Sequence, residues 1–317
     1  MREYVGRFCA VYIDDIAIWS NSVEEHEEHV RLILEALREA GICASKKKSV
    51  LFADEISFLG HTISSRGVEV AQKKVDKILA SRTPTCASDI KEFNGLVNYI
   101  GQFIPGLSEW STVLSGLTKK DVKFNWETVH EEAFQNIKRL AKNTPICKPI
   151  DYDNPDPVML VADASNRGIG GYYGQGEDYK TMTPTGFHSR ALNPAEKNYP
   201  THDKEMLAIV DCIKKFAPQL TGIKFDILTD HAPLTHWKTQ KDLSPRQVRW
   251  EEYYPNSTLT LVTSLVSPIL LPMLSPVTHM FNPTMTSQYA LFLRLNSIPR
   301  SSIPSGNRTP RTVSSDR

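Results

Sequence analysis

With 317 residues, 40% of them hydrophobic, the chain has apolar material for two or more domains. A formal net charge of +1 excludes an overall basic field, so any surface for nucleic acid must be a local patch. The five cysteines (Cys9, Cys43, Cys86, Cys147, Cys212) are odd in number and lack Cys-x-x-Cys spacing, which argues against a disulfide framework or a zinc site. That usage fits a reducing, intracellular compartment, and the opening residues do not read as a signal peptide, so none is expected. The most apolar stretch, 259–274, is broken by Pro268 and Pro272 and makes no membrane span.

The first element is the run Phe8-Cys9-Ala10-Val11-Tyr12-Ile13-Asp14-Asp15-Ile16-Ala17-Ile18-Trp19. Two strand-forming stretches flank adjacent carboxylates, so the run reads as a β-hairpin whose turn carries Asp14 and Asp15. Like charges side by side disfavour each other's ionisation. A divalent cation removes that penalty, and Mg²⁺ is held by one or two carboxylates plus substrate phosphates. A solubilising acidic turn is the bland alternative. Residues 23–40 repeat apolar side chains at helical spacing (Val30, Ile33, Leu34, Leu37), with Gly41 as the stop. Lys46-Lys47-Lys48 then leads into a second strand region, 55–64, which holds Phe58-Leu59-Gly60-His61.

Residues 71–141 read as helix-rich, with 89–103 and 126–140 amphipathic. Prolines and acids in 145–157 mark a linker. Beyond it, strands at 158–164, 170–174 and 186–189 suggest an antiparallel meander. A strong helix over 203–216 and a buried strand at Phe225–Thr229, ending at Asp230, complete an α/β layer pattern. After residue 254 the chain is rich in Ser, Thr, Pro and Leu without clean periodicity, and a disordered end is expected.

The ordered series Tyr12-Ile13-Asp14-Asp15, Phe58-Leu59-Gly60-His61, Phe93-Asn94-Gly95-Leu96-Val97-Asn98-Tyr99, Asp163-Ala164-Ser165, Lys204-Glu205-Met206-Leu207-Ala208-Ile209-Val210 and Thr229-Asp230-His231 resembles one region of a known family. It is similar to the reverse transcriptase and ribonuclease H region of gypsy-type LTR-retrotransposon polyproteins, over residues 5–253. The resemblance implies an α+β / α/β multidomain chain. Residues 1–70 would be a partial reverse-transcriptase palm, 71–150 helical thumb and connection, and 151–254 an incomplete ribonuclease H-like domain with a mixed sheet. Residues 255–317 would be an out-of-frame or disordered tail.

By the same resemblance, Asp14 and Asp15 would hold the metals for nucleotide addition, with Tyr12 alongside. Phe58, Leu59 and Gly60 would belong to a primer-gripping hairpin, and Lys48 or its neighbours would lie near the incoming triphosphate; the other reading of Lys46 to Lys48 is a solvated basic loop. Phe93 and Tyr99 read as core residues rather than base-stacking ones. Asp163, Glu205 and Asp230 would form a second metal site. A two-metal hydrolysis with cations ~3.5–4 Å apart suits three such acids. The implied activities are RNA-directed DNA polymerase (nucleotidyltransferase) and ribonuclease H endonuclease, with Mg²⁺ (or Mn²⁺) as cofactor. The implied partners are an RNA template, a DNA primer, an RNA–DNA hybrid and a dNTP, without a membrane, in a cytoplasmic particle or the nucleus. A catalytically inactive remnant, or an adopted nucleic-acid-binding module, is the alternative.

Two departures from the family pattern stand out. The chain starts just before the Asp-Asp hairpin, so the upstream palm Asp is expected to be missing and polymerisation by these residues alone impaired. The family's last strand and its Ala-Asp-Ala-Leu-Ser-Arg helix are also expected to be missing. Read one base earlier, the codons of Leu271 to Thr278 can spell a version of that helix motif, and Ser257 to Leu261 can read Phe-Asp-Val-Asp-Ile. Both point to a frameshift near Tyr253 or Tyr254. Without the final strand, the strand at Phe225–Thr229 is expected to have an unpaired edge.

Overall fold

The computed structural model describes residues 2–229, 244–251, 253, 257–261 and 289–294. It divides into two compact units, residues 1–58 with 287–317, and residues 59–286.

In the first unit, β1 (Cys9–Tyr12) and β2 (Asp15–Ser20) form the expected antiparallel hairpin, with Tyr12 opposite Asp15. Helix α1 (Val23–Glu39) begins at Ser22, whose hydroxyl accepts from the Glu25 N–H at 3.1 Å. Ile33 and Leu37 of α1 close over Cys9, Ile16 and Ile18, the buried residues of the hairpin. A single 3₁₀ turn, Lys46–Lys48, precedes β3 (Val50–Ala53) and β4 (Glu55–Phe58).

The second unit opens with an antiparallel hairpin, β5 (His61–Ser64) and β6 (Gly67–Val70). Four helices follow: α2 (Gln72–Leu79), α3 (Ala87–Tyr99), α4 (Leu107–Gly116) and α5 (Thr128–Lys142). Next come β7 (Val158–Ala164), β8 (Gly168–Gln175), β9 (Thr183–Ala191), α6 (Thr201–Leu220), β10 (Phe225–Thr229) and α7 (Pro245–Glu251). The run Val-Met-Leu-Val-Ala in β7 has no polar face because both its sides are covered. Val158, Leu160 and Ala162 join Met206, Ile209, Val210 and Ile213 of α6 in one core. Met159 and Val161 join Phe93, Leu114, Phe134 and Ile137 from α3–α5 in the other. The linker at 145–157 thus separates helices from strands without separating their cores.

Close approach of α6 to β8 needs a glycine at 171. A Cβ there would stand 2.5 Å from the Val161 carbonyl oxygen and 2.7 Å from Cys212 Sγ.

The tail corrects one expectation. Strand β11 (Ser257–Leu261) runs parallel to β10, giving a five-stranded sheet ordered β11-β10-β7-β8-β9, so β10 has no open edge. The Ser-Thr-Leu-Thr-Leu run of β11 is strand-forming in the frame as it stands, because its threonines are β-branched. A further tail strand, β12 (Tyr289–Arg294), lies antiparallel between β2 and β3 in the first unit. Among the described residues, no helix is long and apolar enough to cross a membrane.

Candidate active site

The β1–β2 connection is a two-residue turn, Ile13 and Asp14. Ile13 has φ 53°, a left-handed angle that a β-branched side chain rarely takes, and its side chain is 77% exposed. The cost of the turn therefore falls on an outward-facing residue while the strands on either side stay regular. Asp14 is exposed, Asp15 half-buried and Tyr12 exposed. Asp15 opens β2, whose next three residues, Ile16, Ala17 and Ile18, are buried, so its backbone is fixed by the core below it. Lys48 is exposed in its 3₁₀ turn, Phe58 is buried at the end of β4, and Leu59 and Gly60 are half-buried.

In the second unit, Asp163 stands near the end of central strand β7. Glu205 is buried in the second turn of α6, and its Oε2 accepts a hydrogen bond from the Ala164 N–H at 3.1 Å. That contact brings the Glu205 carboxylate to the residue next to Asp163. Two carboxylates at one strand end present hard oxygen donors, the ligand type that Mg²⁺ and Mn²⁺ take. The third acid, Asp230, lies outside the described residues, as does His231. Among the described residues, no three His, Cys, Asp or Glu side chains group closely enough to hold a metal on their own.

Two polar clusters that the sequence reading passed over hold α6 in place. At its start, Asp203 is buried and accepts from Arg246 Nη1 at 2.6 Å and Gln247 Nε2 at 3.1 Å, both on α7. The Arg246 guanidinium also lies over the Tyr199 ring, 3.6 Å from its centroid. Midway along α6, Asp211 joins His188 Nε2 at 2.7 Å and Arg190 Nε at 2.9 Å, tying the helix to β9. Arg190 continues to Glu196 at 2.8 Å. Burial pushes the Asp211 and Glu196 carboxyls up, but hydrogen bonds from His188 and Arg190 outweigh it and hold both below the usual range. One trace of the second cluster was readable: Asn193 and Glu196 cap each other reciprocally, an Asn-x-x-Glu spacing.

Residues 1–63 match the family described as "Reverse transcriptase (RNA-dependent DNA polymerase)", and residues 153–254 match "RNase H-like domain found in reverse transcriptase". The Transposon Tf2-3 polyprotein of Schizosaccharomyces pombe is 33% identical over 244 residues, 76% of this chain. The Tf2-7 polyprotein of the same yeast is 32% identical over the same share. The chain spans 18% of the length of these relatives. Among solved structures, a foamy viral protease-reverse transcriptase in complex with an RNA/DNA hybrid aligns with a TM-score of 0.69 at 23% identity, covering 87% of this chain and 38% of that one. The same enzyme with double-stranded DNA gives 0.68 at 23% identity, covering 81% and 55%. These structural likenesses establish the fold: part of a reverse transcriptase with an RNase H-like region. Reverse-transcriptase sequence followed by RNase H-like sequence, aligned with the Tf2 polyproteins over 244 residues, makes this chain a member of the reverse transcriptase and RNase H region of gypsy-type retrotransposon polyproteins.

Proposed function

We propose that the second unit cleaves the RNA strand of an RNA–DNA hybrid, with Asp163 and Glu205, and Asp230 with them, holding divalent cations. The observation that carries this reading is the Ala164 N–H to Glu205 hydrogen bond, which sets a buried carboxylate beside the Asp163 position. A bound Mg²⁺ or Mn²⁺ supplies an acidified water and charge neutralisation at the scissile phosphate. The chain's own residues supply the rest. Ala164 N–H orients Glu205, the Arg246–Asp203 and His188–Asp211 contacts keep α6 from sliding, and the two-sided packing of β7 keeps Asp163 from drifting. In the first unit, Asp14 and Asp15 are the corresponding carboxylates for nucleotide addition to a DNA primer on an RNA template. Tyr12 and Lys48 then contact the duplex and the dNTP, and Leu59 and Gly60, at the start of the second unit, the primer; Phe58 is buried and serves the turn only as its anchor.

The test is the full chain with a labelled RNA–DNA hybrid, in Mg²⁺ and separately in Mn²⁺. Cleavage confined to the RNA strand, lost in Asp163→Asn and Glu205→Gln, supports the assignment. Hybrid bound tightly but left intact in both metals identifies the inactive nucleic-acid-binding alternative instead.

A further inference from the structure

The segment Phe58-Leu59-Gly60-His61 turns at Leu59 and Gly60, and both residues adopt left-handed backbone angles, φ 50° and 74°. Two successive positive φ values are what a two-residue turn of the I′ kind demands, and such turns select Gly, Asn or Asp. Gly60 meets that demand. Leu59 does not, because its Cβ crowds the following carbonyl in this conformation. A strained residue of this sort persists only where its surroundings over-determine it, and such residues gather at functional sites.

Here the surroundings are one exposed tyrosine and the two residues that hold it. The Tyr99 hydroxyl, on the last residue of α3, donates a hydrogen bond to the Leu59 carbonyl. His61 stacks on the Tyr99 ring, with centroids 5.6 Å apart and planes 7° from parallel. Lys74 Nζ lies 4.4 Å from the ring centroid. A Cβ at residue 60 would meet the Tyr99 hydroxyl oxygen at 2.6 Å and Lys74 Cε at 3.2 Å, so glycine is also what allows the hydroxyl in. Burial, and then the charge of Lys74, lowers the His61 pKa, which favours the neutral form of the stacked imidazole. Tyr99 is 44% exposed, so the core reading of its position does not describe it. It contributes little to the core and much to the turn.

We propose that Tyr99 is a positioning residue: its hydroxyl locks the Leu59–Gly60 turn in the one shape that receives the 3′ end of a primer strand, and Lys74 and His61 fix the ring that carries it. The inference rests on the reading of this turn as a primer contact. It also links two segments the sequence presents as separate motifs, residues 58–61 and 93–99.

The experiment uses the full chain and an RNA-template/DNA-primer duplex bearing 4-thiothymidine at the primer 3′ terminus. Crosslinks are mapped by mass spectrometry, alongside duplex affinity and thermal melting. For Tyr99→Phe, the melting temperature should stay within error of wild type and overall affinity within about twofold. Crosslinking to residues 58–61 should fall about fivefold, the worth of one neutral hydrogen bond. Tyr99→Leu, which removes the ring as well, should lose that crosslink and also melt lower. If wild type gives no crosslink at 58–61, the primer-contact reading fails and the proposal falls with it. If wild type and Tyr99→Phe crosslink equally, the turn stands as a primer contact and the role of Tyr99 is refuted. A parallel loss of melting temperature, total affinity and crosslink in Tyr99→Phe would make the residue purely structural and also overturn the proposal.

Discussion

The two carboxylate pairs are held in opposite ways. Asp14 and Asp15 sit at a hairpin tip whose apex, Ile13, is strained and almost fully in solvent. Asp163 and Glu205 sit where a strand buried on both faces meets a helix pinned at two points. In the first pair, position comes from a short stretch of chain and its turn. In the second it comes from tertiary packing, through the backbone N–H of Ala164 bonded to Glu205, 41 residues on in sequence. A tip can move to follow a substrate, whereas a packed pair is set in advance and loses its geometry only when the core does.

The sharpest way to break this contrast is to damage the core under each pair. Leu160 is fully buried in the middle of β7, so Leu160→Ala should destabilise the second unit by ~2–5 kcal/mol. Chemical denaturation followed at the tryptophans would measure it. Cleavage of hybrid should fall along with folded fraction, because Asp163 is carried on β7. A loss below 1 kcal/mol would mean the strand is less tightly packed than its burial indicates.

Removing a proposed metal ligand without touching the core separates chemistry from packing. Asp163→Asn is nearly isosteric and leaves the buried core of β7 untouched, so melting should hold steady. Hybrid cleavage should nonetheless drop ~100-fold or more, in line with the several kcal/mol that a bound cation supplies to the transition state. Isothermal titration with Mn²⁺ should show the same variant binding more weakly. Equal Mn²⁺ affinity in the two proteins would remove Asp163 from the metal site.

The hairpin should respond the other way. Asparagine tolerates the left-handed region that isoleucine resists, so Ile13→Asn should stabilise the chain by ~0.5–1 kcal/mol. It should leave RNA cleavage unchanged, since Ile13 belongs to the other unit. A destabilised Ile13→Asn would show that the exposed side chain makes a contact worth more than the strain.

The contrast also governs what the sequence could disclose. The Tyr-Ile-Asp-Asp hairpin was legible because everything that shapes it is local: two β-prone runs and a two-residue turn. The same holds for α1, whose cap at Ser22 and left-handed Gly41 lie within a few residues of its ends. Glu205 on a helix and Asp163 on a strand could be read from periodicity, but their juxtaposition was implied only by the family resemblance, because it depends on the tertiary placement of α6. Tyr99 departs from its core expectation for a related reason. Helical spacing puts it near Phe93 and Leu96, yet it lies at the end of α3, where the buried stripe runs out and the neighbour is a turn 40 residues upstream. The open edge expected at β10 failed because a register of Thr and Leu pairs as readily as the residues a shifted frame would supply.

Acid should separate the two regions most finely. In the first unit, His26 is fully buried, with Nδ1 2.9 Å from Ser20 Oγ and its ring edge-on to Phe52. His29 shares the same hydroxyl at 2.8 Å, and Glu25 approaches His29 at 3.9 Å. Burial first, and then the neighbouring His29, lower the His26 pKa below its ordinary 6.5. The folded state therefore favours the neutral ring more than the unfolded chain does. Its stabilisation is fully present above about pH 6.5 and drains away as pH falls through the lowered folded value. In the second unit, Asp211 and Glu196 are held below their ordinary 3.8 and 4.5, so their contribution survives until pH falls beneath those values. Hydrogen exchange, corrected for intrinsic rates and resolved by segment, should show protection of β2 and α1 weakening just below pH 6.5. Protection of α6 and β9 should hold until below about pH 4. In His26→Gln the first transition should flatten while the second stays where it was. Simultaneous loss of protection in both segments, or an unchanged first transition in His26→Gln, would show that the buried imidazole does not set the acid limit of its unit.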